Sequence, residues 1–225
     1  MMENEQLLLL EQLSRQIDPE QVPALVADYH KMITKYNCAL REVRTKFEVL
    51  NDELSIKSNR NPIHAIHTRI KNPKSIMDKL ARKNLPFSLT AVQNELNDVA
   101  GIRVICDFVD DIYEIAEMLL KQDDIRLIQC KDYIRNPKPN GYRSYHMIIE
   151  IPVFFSDGKE LLKVEVQLRT IAMDFWASLE HEMKYKKDLP PEESASISNN
   201  LLECATTIAK MDANMQEIKN KIYPR

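Results

Sequence analysis

The stretch Lys163-Val-Glu-Val-Gln-Leu-Arg169 decides the fold. Together with the residue before it, apolar Leu162, Val164, Val166 and Leu168 alternate with polar Lys163, Glu165, Gln167 and Arg169. A two-residue period of this kind marks a strand with one face in a core and the other polar. Upstream, Ser144 to Phe155 also reads as a strand, and Ser156-Asp157-Gly158-Lys159 between the two is a hairpin signal. In that upstream strand Tyr142, Ser144, His146, Ile148 and Glu150 fall on one side. Paired in one sheet, the two strands could form a continuous polar floor carrying an aromatic ring, a hydroxyl, an imidazole and carboxylates. The plainer alternative is a solvated sheet face.

Outward from the hairpin the chain alternates. Pro62 to Ile70 is expected as a strand, Pro73 to Lys83 as a helix, and Thr90 to Asn97 as a second helix with Thr90 as its N-cap. Val99 to Cys106 reads as a buried strand, Asp110 to Lys121 as an amphipathic helix and Ile125 to Ile134 as a strand. Asn136-Pro-Lys-Pro-Asn-Gly141 is a loop by its breaker residues. Both ends are helical. Tyr36, Leu40, Val43, Phe47, Leu50 and Leu54 recur at three- and four-residue steps, as do Leu201, Cys204, Ile208, Met211, Met215, Ile218 and Ile222. These stripes either pack on their own domain or form an oligomer seam. The expected architecture is α/β (α+β), a mixed sheet flanked by helices, with a helical extension over 1–60, a core over 61–188 and a second helical extension over 189–225.

Composition narrows the chemistry. The 225 residues contain three glycines, where average usage would give roughly sixteen. A glycine-rich phosphate loop or dinucleotide-binding turn is therefore excluded, and any nucleotide phosphates must be held by side chains. A formal charge of -3 gives no global field for nucleic acid or an acidic membrane, so local basic clusters carry the information. Cys38, Cys106, Cys130 and Cys204 are isolated and read as reduced thiols. The run Leu7 to Leu10 is too short and too acidic in its flanks for a signal or a membrane span, so a soluble, cytoplasmic protein is expected.

Asp98 stands directly before the apolar strand and could meet Glu165, the two carboxylates holding Mg2+ with phosphate oxygens completing the shell. Asp98 could equally punctuate the preceding helix. Arg69, Lys71, Lys74, Lys79, Arg82 and Lys83 lie within fifteen residues that contain one acid, Asp78. Lys131, Arg135, Lys138 and Arg143 form a second cluster. Each cluster alone reads as a solvated charge run. Two of them flanking a carboxylate pair in a net acidic chain suggest sites for two polyphosphates. His64 and His67 point to opposite faces of their strand and argue against a shared metal. His30 reads as a helix-surface residue, and His181 could reach the sheet.

Four ordered segments then carry a resemblance: Arg69-Ile-Lys71-Asn-Pro-Lys74-Ser75-Ile76, Asp98-Val-Ala-Gly101-Ile-Arg103, Asp132-Tyr-Ile through Pro137-Lys-Pro-Asn-Gly141-Tyr142-Arg-Ser-Tyr-His146, and Glu165-Val-Gln167-Leu-Arg169-Thr. With Met173 to Lys187 they cover most of residues 62–187 and resemble the RelA/SpoT-type (p)ppGpp synthetase domain. The helical ends are similar to those of the stand-alone small alarmone synthetases, and the Pro-Lys-Pro-Asn-Gly loop resembles the RelP-like more than the RelQ-like group.

The resemblance implies a nucleotidyltransferase-like mixed sheet and transfer of pyrophosphate from ATP to the 3'-hydroxyl of GDP or GTP, with AMP released. It implies that Asp98 and Glu165 bind Mg2+ and that Glu165 is the base for the 3'-hydroxyl. Arg69 and Arg103 would sandwich adenine, and Lys71, Ser75, Lys79 and Arg82 would hold the ATP phosphates. Tyr142 would stack on guanine, Asn140 and Gln167 would orient the acceptor, and Lys138 and His146 would contact its phosphates. A homotetramer is implied. The His-Asp metal motif of bifunctional relatives is absent, so synthesis without hydrolysis is expected, as is the lack of their C-terminal regulatory region. Three rival readings differ by substrate. A Gly-Ser plus D-x-D nucleotidyltransferase lacks its motif here, a same-fold enzyme acting on tRNA 3' ends is opposed by the complete Tyr142 to His146 motif, and a catalytically silent RNA-binding regulator is opposed by Asp98 and Glu165.

Overall fold

The computed structural model describes residues 20, 22–58, 60–185 and 191–223, so the Leu7 to Leu10 run lies outside the described residues, as do 186–190 at the boundary expected near 188. Helix α1 (Val22–Ser58) leads into β1 (Ile63–Ile70), α2 (Pro73–Arg82), α3 (Leu89–Glu95) and β2 (Ala100–Cys106). Then come α4 (Val109–Leu120), β3 (Arg126–Asp132), β4 (Tyr145–Phe155), β5 (Gly158–Thr170), α5 (Ile171–Tyr185) and α6 (Pro191–Ile222). The five strands form one sheet in the order β1-β2-β5-β4-β3. Only β2 and β5 run parallel; the other neighbours are antiparallel.

The alternation in β5 has the expected consequence. Val164, Val166 and Leu168 are fully buried, and they join Met147, Ile149 and Ile151 of β4 and Ile102 and Val104 of β2 in one core. That apolar face is covered by α1, through Tyr29, Met32, Tyr36, Leu40, Val43 and Phe47, and by α4, through Ile112, Ile115 and Leu119. The 3.6-residue period of both helices brings these side chains onto one stripe each. The N-terminal helix is thus part of the central core.

Local ends follow from capping. Asn72 accepts from the Ser75 N–H at 2.7 Å with Pro73 in the first helical turn, so α2 starts directly after β1. Helix α3 is capped by Ser88, whose Oγ accepts from the Ala91 N–H at 3.2 Å, and not by Thr90. Ser88 has the extended backbone a cap requires, whereas Thr90 is already inside the helix. The hairpin is tighter than its sequence signal suggested: Ser156 and Asp157 alone form the turn, Gly158 pairs with Phe155, and Gly158 takes φ +138°.

Helix α6 docks through Leu201 and Ala205 on Trp176 and Ala177 of α5, with the Trp176 indole N–H donating to the Leu201 carbonyl at 2.9 Å. Farther along, its buried positions are polar. Asp212 accepts from Thr170 Oγ1 and from Arg143 at 3.0 Å each, and Lys219 reaches Asp110 and Asp111 at the start of α4. The apolar stripe expected on this helix is mostly exposed, at Met211, Met215, Ile218 and Ile222, because buried ion pairs dock the helix on its other side. Among the described residues no helix is long and apolar enough to cross a membrane.

Candidate active site

The sheet face opposite the core is polar, and the register assembles it. His67 of β1 pairs with Arg103 of β2, Arg103 with Gln167 of β5, Gln167 with His146 of β4, and His146 with Lys131 of β3. One row therefore crosses all five strands. In the adjacent row Arg69, Gly101, Glu165 and Ile148 are in register. Arg69, Gly101, Arg103, Glu165 and Gln167 line a cavity of about 110 Å³. Gly101 is its floor: a Cβ there would lie 3.5 Å from Arg69 Cγ. The two arginines expected to sandwich adenine thus border one depression, with Arg103 held by Asp174 at 3.1 Å.

Asp98 lies between α3 and β2. Its Oδ2 is met by Lys71 at 2.8 Å and by Lys79 at 2.6 Å. Its Oδ1 is buried and has no hydrogen-bond partner among the described residues. Burial raises the Asp98 pKa, but the hydrogen bonds and charges of Lys71 and Lys79 outweigh it and hold the carboxyl below its usual range. Burial likewise raises that of Glu165, the negative charge of Asp98 adds to this, and the His146 and Gln167 contacts bring the net value below normal. The two carboxylates are thus close enough to act on each other, both ionised, and one keeps a buried oxygen without a partner. That donor set fits a hard divalent cation. Among the described residues no group of three or more His, Cys, Asp or Glu side chains could hold one, so phosphate or water oxygens would complete the shell.

Lys71 and Lys79, expected on the ATP phosphates, are both held on Asp98. Ser75 sits in the first turn of α2, and Arg82 at its end is exposed, with its guanidinium Nε donating to the Asp78 carbonyl. On the acceptor side Tyr142, His146, Tyr133 and Lys138 come together. Tyr142 Oη is 2.8 Å from His146 Nε2, and the Tyr133 ring stands edge-on to both Tyr142 and His146. The Lys138 ammonium lies 4.7 Å from the Tyr133 ring centre and 4.6 Å from that of Tyr142. Asn140 is anchored within its loop: its amide donates to Glu180 at 3.0 Å and its carbonyl accepts from the Tyr142 N–H. Burial, ahead of the opposing pull of Glu165, lowers the His146 pKa.

Some expected features do not gather here. Arg143 is turned away to Asp212, and Arg135 lies against Tyr113 and Asp132, so the second basic cluster contributes Lys138 without them. Ser144 is fully buried and donates to the Leu168 carbonyl; it is not part of an open floor. His181 is exposed on α5, and His30 is exposed on α1 as expected of a helix-surface residue. Gly141, in the breaker loop directly before Tyr142, has φ +86° and lies against α6, where a Cβ would collide with Ala205.

Three residues given no role from sequence enter the site: Tyr133, Arg169 and Asp174. Arg169 was visible as the last polar position of the β5 alternation, and Tyr133 within the Asp132-Tyr-Ile segment. Asp174 carried no signal, because its partners Arg103 and Arg169 reach it only through the turn from β5 into α5.

The family pattern described as a region found in RelA / SpoT proteins matches residues 68–189, which contain most of this site. The chain is 38% identical over 205 residues to the GTP pyrophosphokinase YwaC of Bacillus subtilis (strain 168), covering 90% of this chain and 96% of that one. The crystal structure of small alarmone synthetase 2 from Bacillus subtilis superposes with a TM-score of 0.76 at 40% identity, covering 86% of this chain and 99% of that one. That of small alarmone synthetase 1 from the same species, bound to its product pppGpp, gives a TM-score of 0.78 at 31% identity, covering 87% and 98%. With the matched region extending from β1 to the segment after α5, and with a relative 38% identical over 90% of the chain, the chain belongs to the RelA/SpoT family.

Proposed function

We propose that this chain is a GTP pyrophosphokinase that transfers pyrophosphate from ATP to the 3'-hydroxyl of GDP or GTP, giving ppGpp or pppGpp and AMP. The observation that carries this reading is the Asp98 and Glu165 pair, both ionised, set between an arginine-bordered depression and an aromatic cluster. Arg69 and Arg103 offer planar guanidinium groups to adenine. Lys71 and Lys79, with Ser75 and Arg82 on α2, take the ATP phosphates. Tyr142 stacks on guanine, Gln167 and Asn140 orient the acceptor, and Lys138 with His146 meets its phosphates. Glu165 accepts the proton of the 3'-hydroxyl, which requires hydrogen-bond reach once the acceptor is seated. A Mg2+ ion held by Asp98 and Glu165 would neutralise charge on the transferring phosphates.

The protein is cytoplasmic and homotetrameric in this proposal, the exposed Met211, Met215, Ile218 and Ile222 supporting self-association. The RelP-like placement rests on the Pro137 to Gly141 loop alone. The test incubates purified protein with labelled ATP and GDP, GTP or tRNA, beside Asp98→Asn and Glu165→Gln. Alarmone from the wild type and loss in both variants supports the reading. No alarmone, undiminished product in both variants, or label appearing only on tRNA overturns it. A monomer by light scattering at micromolar concentration overturns the tetramer.

A further inference from the structure

Glu165 and four side chains around it form a closed ring of contacts. Gln167 Nε2 donates to Glu165 Oε2 at 2.9 Å, and Arg169 Nη2 donates to Gln167 Oε1 at 3.0 Å. The same Nη2 donates to Tyr142 Oη at 2.6 Å, Tyr142 Oη is 2.8 Å from His146 Nε2, and His146 Nδ1 is 3.8 Å from Glu165 Oε1. Arg169 itself is 4% exposed, with Nη1 on Asp174 at 3.0 Å and Nε facing Ser144 Oγ at 3.4 Å.

The directions of the Arg169 and Gln167 bonds follow from what each group can do. A guanidinium only donates, and Nη2 has two hydrogens, one for Gln167 and one for Tyr142. Gln167 must turn its carbonyl to Arg169, which leaves its amide hydrogens for Glu165. The Tyr142 oxygen accepts from Arg169 and keeps one hydrogen of its own, and whether that hydrogen goes to His146 Nε2 depends on the tautomer of the imidazole. With Nε2 accepting from Tyr142, the imidazole carries its hydrogen on Nδ1, the nitrogen facing Glu165.

We propose that Arg169 is a positioning residue for the pyrophosphoryl transfer: through Gln167 on one side and Tyr142 and His146 on the other it aims one N–H at each oxygen of Glu165. The proposal rests on the reading of Glu165 as the base. It also ties the two ends of the acceptor site together, because the tyrosine offered to guanine is a link in the chain that orients the base. Neither chain moves a proton or breaks a bond; each fixes the carboxylate plane before the acceptor hydroxyl arrives.

The tautomer of His146 is read by long-range proton–nitrogen correlation on uniformly 15N-labelled full-length protein, with the signal assigned by its loss in His146→Gln. The wild type is expected to show hydrogen on Nδ1. Arg169→Gln, and independently Tyr142→Phe, which leaves the buried guanidinium paired with Asp174, are expected to move it toward Nε2. In both, kcat is expected to fall about tenfold or more, with the KM for ATP within about twofold of wild type. Hydrogen on Nε2 in the wild type, or an unchanged tautomer in a folded Tyr142→Phe protein, overturns the proposal. Full activity in Glu165→Gln overturns the base reading instead, with the wild-type tautomer signal unaffected.

Discussion

The ammonium of Lys79 lies 2.6 Å from Oδ2 of Asp98, so a lysine suited to ATP phosphates is held by the carboxylate suited to their counter-ion. Incoming phosphates therefore compete with Asp98 for Lys79 and Lys71. Lys79→Met should raise the KM for ATP about tenfold, the loss of one charge-assisted contact, and leave the KM for GDP near wild type. Equal changes in both constants would contradict the assignment.

Asp98 also predicts an acid response. Its pKa in the folded chain is below the 3.8 of a free side chain. The unfolded chain thus binds the proton first as pH falls. The stabilisation is complete above about pH 4 and is lost as pH drops through the folded value. Urea unfolding between about pH 5 and pH 3 should show a shallower loss in Asp98→Asn than in the wild type. Parallel curves would show that the two lysines do not stabilise the carboxylate.

Tyr142→Ala removes the ring that Lys138 and Tyr133 frame. Stacking of a base on an aromatic ring contributes about 1–3 kcal/mol, so the KM for the guanine nucleotide should rise about 5- to 150-fold. Isothermal titration with GDP gives the same comparison without turnover. Unchanged GDP affinity would remove Tyr142 from the acceptor site.

Gly141→Ala meets two obstacles at once, a backbone at φ +86° and the Ala205 side chain of α6. The strained backbone alone costs about 1–3 kcal/mol. The melting temperature should fall, and the double variant Gly141→Ala, Ala205→Gly should recover only the part due to the collision. Full recovery would show that the backbone angle costs nothing.

Asp212→Ala leaves the Arg143 guanidinium and the Thr170 hydroxyl without their acceptor. Removing one partner of such a buried pair costs about 3–5 kcal/mol. Chemical unfolding should show that loss, and proteolysis should cut α6 earlier than the sheet. A change below about 1 kcal/mol would mean that the Asp212 contacts do not hold α6 in place.

Much of the fold was legible because periodicity is local. The alternation from Leu162 to Arg169 and the stripe from Tyr36 to Phe47 need only neighbours in sequence to declare a face. Glu165, Gln167, Arg103 and Arg69 converge because a strand's polar face is inherited by the sheet. Partners across the chain were not legible. Arg143 looks like one more cation until Asp212, 69 residues on, is packed against it. Gly141 looks like a residue kept for a substrate until Ala205 occupies the space beside it. The cap of α3 was misplaced by two residues because Ser88 and Thr90 carry the same hydroxyl, and only backbone conformation separates them.

The row from His67 through Arg103, Gln167 and His146 to Lys131 makes the sheet a measuring rule. Strands are spaced by about 4.8 Å, so the arginine of β2 and the imidazole of β4 stand roughly 10 Å apart, with the β5 carboxylate's strand midway. Backbone hydrogen bonds set that interval, and no side-chain substitution can alter it. A one-residue insertion in β5 upstream of Glu165 would be a different lesion: it would turn Glu165, Gln167 and Arg169 toward the apolar layer and bring Val166 and Leu168 onto the polar face.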